Sequence, residues 1–136
     1  MAVDAAGTLH VLFGSETPYA TNASGGWTFE RFAPGTAGGS GGELALDGAG
    51  TPHAAFGTAT GDFSYLLQHA RRTADGWVVE QVEPWRLGTL DGVSIAVDAA
   101  GDVHIGYVRD SGIGYATTRG GTDSDGVDQD CDGVDG

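Results

Sequence analysis

The sequence predicts an all-β fold of repeated four-stranded antiparallel sheets, with no helix beyond a turn. Three observations predict it. One octapeptide pattern occurs three times: Val3-Asp4-Ala5-Ala6-Gly7-Thr8-Leu9-His10, Leu46-Asp47-Gly48-Ala49-Gly50-Thr51-Pro52-His53 and Val97-Asp98-Ala99-Ala100-Gly101-Asp102-Val103-His104. The copies are spaced 43 and 51 residues apart from His to His, a period that belongs to repeat architectures. The segments around them alternate apolar and polar residues at period two, and 25 glycines against 4 prolines suit many short strands joined by tight turns.

The third copy shows the elements most clearly. Val93-Ser94-Ile95-Ala96-Val97 and Val103-His104-Ile105-Gly106-Tyr107 alternate over β-branched residues and read as two strands. Ala99-Ala100-Gly101 between them is a three-residue hairpin loop, with Gly where a left-handed residue is needed. That loop pairs Ala96 with His104 and Val97 with Val103. One face then carries Ile95, Val97, Val103, Ile105 and Tyr107; the other carries Ser94, Ala96, His104 and Gly106. A third strand is expected at Ile113–Thr118, matched by Tyr19-Ala20-Thr21 and Phe63–Leu67. A fourth is expected at Trp27–Phe32 and Trp77–Val82, each after a Gly-containing turn. The third copy offers no such strand, since Gly120-Gly121 runs directly into an acidic tail. Four antiparallel strands per unit of this length describe a β-propeller blade. The expectation is therefore just under three blades over residues 1–121, divided near 1–42, 43–91 and 92–121, followed by a tail over 122–136. Propellers close with about 4–8 blades. The chain is thus expected to be a piece of a longer protein, or to self-associate through sheet edges left open at either end.

Composition excludes some partners. The net charge is −13, all six basic residues are Arg, and six of the 19 acidic residues lie in 123–136. Nucleic acids and anionic membranes want a basic footprint, so neither is expected as a partner. No apolar run approaches the length of a membrane span. The single cysteine, Cys131, defines no disulfide framework.

The order Ile95-Ala96-Val97-Asp98, Gly101, His104, Tyr107 and Tyr115-Ala116-Thr117, with Tyr19–Trp27 in the first copy, resembles a bacterial family of propeller repeats related to the BNR or Asp-box repeats. Ser24-Gly25-Gly26-Trp27 and Asp75-Gly76-Trp77 keep the turn and Trp of the Asp-box but not its full motif. The resemblance covers nearly all of residues 2–118. It implies an extracellular or cell-surface location and a role in binding or display, with carbohydrate or another surface protein as partner. Sialidases, polysaccharide lyases, lectins and plain scaffolds share such blades, and fold does not fix function.

In the tail, Asp128, Asp130 and Asp132 fall at positions 1, 3 and 5 of an EF-hand-type loop, with Gly133 next and the Val134 carbonyl as a further oxygen. The acid at position 12 would fall beyond Gly136, so Asp123 or Asp125 stands in as a ligand. The segment resembles thrombospondin type 3 calcium motifs. Ca²⁺ is the cofactor expected.

His10, His53 and His104 recur once per unit, which points to a structural bond inside each unit; His53 and His104 are expected to be mostly buried. Asp4, Asp47 and Asp98 precede the hairpin loops, where carboxylates accept backbone N–H groups. Trp27 and Trp77 are read as packing between blades, with a stacking platform for sugars as the alternative. Residues outside the repeat are better ligand candidates: Arg71, Arg72, His69, Trp85 and Arg86. The functional expectation is a non-catalytic extracellular propeller fragment for binding or surface display, with a calcium-binding tail. A sialidase-like or lyase-like enzyme fragment and a pure spacer are the alternatives.

Overall fold

The computed structural model describes residues 1–12, 18–31, 42–59, 64–82, 92–109, 112–118 and 127–128. Among them every regular element is a strand and every pairing is antiparallel. Sheet one is β1 (Ala2–Val3), β2 (Leu9–Leu12), β3 (Pro18–Thr21) and β4 (Thr28–Arg31), in that order. Sheet two is β5 (Glu43–Leu46), β6 (Pro52–Ala59), β7 (Tyr65–Thr73) and β8 (Gly76–Gln81). Sheet three is β9 (Gly92–Val97), β10 (Val103–Arg109), β11 (Gly112–Thr117) and β12 (Val127–Asp128).

The expected hairpin is found. Ala96 pairs with His104 and Val97 with Val103. Gly101 N–H donates to the Asp98 carbonyl at 3.0 Å and Asp98 N–H to the Asp102 carbonyl at 3.0 Å, closing a loop of three residues. Gly7, Gly50 and Gly101 sit at φ of +83°, +81° and +89° in the three copies. A side chain is strained there, which explains why Gly holds this place each time.

Sheet three departs from expectation. Its fourth strand exists as the two-residue β12, drawn from the acidic tail, with Ala116 opposite Val127 and Tyr115 opposite Asp128. Val127-Asp128 carries too little alternation to mark a strand in sequence; pairing with β11 supplies what local pattern does not.

Successive sheets stack face to face. β5 lies against β1 and β2, and β9 lies against β5 and β6. In sheets one and two the face bearing the repeated His is turned towards the following sheet, and in sheets two and three the opposite face is turned towards the preceding one. Between sheets one and two, Tyr19 and Leu12 meet Leu44, Ala54, Phe56 and Ala70. Between sheets two and three, Ala55 and Leu67 meet Ile95, Val103, Ile105 and Tyr107. The two-faced pattern read from the third copy thus places the core. Gly114 serves it by close approach: a Cβ there would run into the ring of Tyr107, its partner across β10 and β11.

Candidate functional site

The recurring Asp and His meet in every sheet. Asp4 Oδ1 accepts the N–H groups of Ala6 and Thr8, both at 2.9 Å. Its Oδ2 lies 3.1 Å from His10 Nε2. The same arrangement joins Asp47 to Ala49, Thr51 and His53, and Asp98 to Ala100, Asp102 and His104. One carboxylate thereby shapes the hairpin loop and fixes an imidazole six residues later.

A third member completes each cluster. His10 Nδ1 meets the Tyr19 hydroxyl at 2.7 Å, and His104 Nδ1 meets the Tyr115 hydroxyl at 2.7 Å. In sheet two His53 Nδ1 instead meets His69 Nε2 at 3.1 Å, and His69 Nδ1 meets Glu80 at 2.9 Å. Register makes these places equivalent. Tyr19, His69 and Tyr115 each stand opposite the residue two places beyond the repeated His. His69 therefore belongs to the repeat and is not an added ligand candidate. The Tyr-to-His exchange conceals that in sequence; only strand register reveals it.

The exchange changes the proton count. In an Asp–His–Tyr cluster a neutral ring donates from Nε2 to Asp and accepts from the Tyr hydroxyl, so both contacts are served. Asp47–His53–His69–Glu80 has three contacts, and ionised carboxylates only accept. Two neutral rings bring two protons, which leaves one contact without a hydrogen. A third proton would complete the chain but place a cation among buried rings. Burial pushes the His69 imidazole below its ordinary 6.5, against the opposing bond to Glu80. The neutral ring is therefore favoured in the fold.

The carboxylates shift the same way. The bond from His10 lowers Asp4, and that from His104 lowers Asp98. Burial raises Asp47, but the bonds from His53, Thr51 and Ala49 outweigh it and the net shift is downward. A folded-state pKa below the unfolded one contributes stability at high pH that is lost as pH falls. For His69 the loss begins below about 6.5, and for the three Asp below about 3.8. Exchanging His69→Tyr is expected to flatten the fall in stability between pH 7 and roughly 5. Denaturant unfolding at both pH values checks this; an equal fall in the variant would contradict it.

Register also explains a second difference. Asn22 Oδ1 accepts from Leu9 N–H at 2.8 Å, and Thr118 Oγ1 accepts from Val103 N–H at 2.9 Å. The corresponding residue of sheet two is Pro52, which has no N–H. Arg72, at the place of Asn22 and Thr118, carries only donors and reaches sheet one. Its Nη2 lies 3.0 Å from Glu30 Oε1, while Trp77 Nε1–H donates to Glu30 Oε2 at 2.8 Å. The Trp77 ring also meets Tyr19 edge-on, centroids 5.1 Å apart. Arg72 and Trp77 thus join sheets one and two, and Trp77 has the packing role expected of it. Trp27, its counterpart just before β4, is 50% exposed on the outer side of sheet one.

Of the remaining ligand candidates, Arg71 is exposed on β7 opposite His53. Trp85 and Arg86 lie outside the described residues, as do Asp123, Asp125, Asp130, Asp132 and Val134. Asp128 lies in β12, at the register place opposite Tyr115 that Glu30 takes opposite Tyr19 and Glu80 opposite His69. No helix among the described residues is long and apolar enough to cross a membrane.

No protein-family model matches the chain, and neither a curated protein nor a solved structure matches it.

Proposed function

We propose that the chain is a non-catalytic extracellular scaffold built of β-propeller blades, used for binding or surface display and ending in a calcium-binding tail. The observation that carries the reading is the triplication of one hydrogen-bonded cluster. Asp4–His10–Tyr19, Asp47–His53–His69 and Asp98–His104–Tyr115 are built alike in every sheet. An active site is placed once; a device repeated in every unit serves the unit. The blade reading is further supported by stacking, since each new sheet meets its predecessor through the same faces. The alternatives, a sialidase-like or lyase-like fragment or a plain spacer, lack an observation of this kind.

Arg71, Trp85 and Arg86 are the residues proposed to meet a carbohydrate or protein ligand, with Arg72 beside Arg71 on β7. Incubation with sialosides and uronic-acid polysaccharides tests the non-catalytic reading. No released sugar and no unsaturated product are expected. Turnover abolished by Arg71→Ala or Arg86→Ala would overturn it.

For the tail, Asp123, Asp125, Asp128, Asp130, Asp132 and the Val134 carbonyl supply only oxygen donors, which favour Ca²⁺ over Zn²⁺. An affinity near the weak extracellular end, about 10⁻⁴–10⁻³ M, is proposed for it. Calorimetric titration of the chain with Ca²⁺ should show heat that Asp130→Ala and Asp132→Ala abolish. No heat in the parent would leave the tail a solvated acidic end.

A further inference from the structure

The interface between sheets occurs twice inside the chain, and its two halves are each left open once. Sheet three turns its His-bearing face outward, and sheet one turns its bulky face outward. Equivalent residues measure the difference. Leu67 on β7 is 0% exposed beneath sheet three, whereas Ile113, at the same register place on β11, is 67% exposed. The His10 and His53 side chains are 7% and 6% exposed beneath a following sheet, while His104, with none, is 24% exposed. On sheet one Trp27 and Val3 are exposed, whereas Trp77 and Leu46 at the equivalent places are half-buried.

We infer that the outward faces of sheets three and one dock against each other between two copies of this chain, head to tail. The inference rests on the blade reading above and deepens it by naming the partner. Trp27 and Val3 of one copy meet Ile113, Val108 and Tyr115 of the next, as Trp77 meets Tyr19 within the chain. The partner is a second copy because both halves of one established interface stand open on the same molecule. Contacts of this heterologous kind close into rings when the rotation permits. Two copies, each with the three sheets of its described residues, make a ring of six, inside the range of about 4–8 blades that propellers use. Faces, not sheet edges, form this contact.

Sedimentation of the whole chain tests it. The expected species has twice the 13.8 kDa mass of one chain, and salt strengthens it, because two chains of charge −13 repel. Trp27→Glu and Ile113→Glu each place a charge in the apolar contact and should weaken the pair roughly 100-fold. An equimolar mixture of the two variants should associate more tightly than either alone. Each mixed pair retains one contact between unaltered faces, which a contact using the same patch on both copies could not do. Circular dichroism confirms that the variants fold; Val3→Glu and Val108→Glu replace them if they do not. A parent monomer at high concentration, a pair indifferent to both substitutions, or a mixture no tighter than its parts would overturn the inference. None of these results bears on the non-catalytic reading, which the polysaccharide assays judge separately.

Discussion

Phe56→Ala is expected to lower the free energy of unfolding by about 3–5 kcal/mol. Phe56 is fully buried on β6, among Leu44, Ala54 and Ala70 and against Tyr19 of sheet one. Its loss leaves a cavity between two sheets, where both backbones resist collapse. Small domains are stable by only about 5–15 kcal/mol, so the variant should be close to unfolding at ambient temperature. Urea unfolding followed by tryptophan fluorescence checks this, since Trp77 closes the same core. A loss below about 1 kcal/mol would mean that sheets one and two do not share that core.

Gly114→Ala should cost about 1–3 kcal/mol by overpacking. The new methyl would collide with the Tyr107 ring, and Tyr107 is itself buried between β10 and sheet two. The collision predicts a rescue. Tyr107→Leu alone should destabilise, yet Gly114→Ala should cost much less in its presence. A double-mutant cycle by thermal unfolding measures that coupling. Additive losses would contradict the placement of the ring over the glycine.

What sequence conveyed and what it withheld divide along the range of the interactions. The Asp98–Gly101 loop, its left-handed glycine and the pairing of Ala96 with His104 follow from a few adjacent residues, and alternation alone separated the two faces. The role of Trp77 could be expected, but not its partners, since Glu30 lies 47 residues away and shares no local pattern with it. Arg72 looked like a ligand candidate because the repeat does not require it. Its pairing with Glu30, 42 residues away, is visible only once the sheets are stacked. His69 was concealed by substitution at a repeated place, and β12 by its brevity. The exposure differences at Ile113 and Trp27 arise from the order of stacking, which no single strand encodes.

We propose that the triplicated Asp–His clusters hold each sheet together and do not constitute a reactive centre. Side-by-side urea unfolding of His10→Ala, His53→Ala and His104→Ala tests it most directly. Each variant removes the partner of a part-buried Asp oxygen and of the Tyr or His beyond the ring, a loss of about 1–3 kcal/mol. Because the His104 side chain is 24% exposed against 7% for His10 and 6% for His53, water can replace its bonds in part. All three variants are expected to be destabilised, His104→Ala least. Stability unchanged in all three would contradict it.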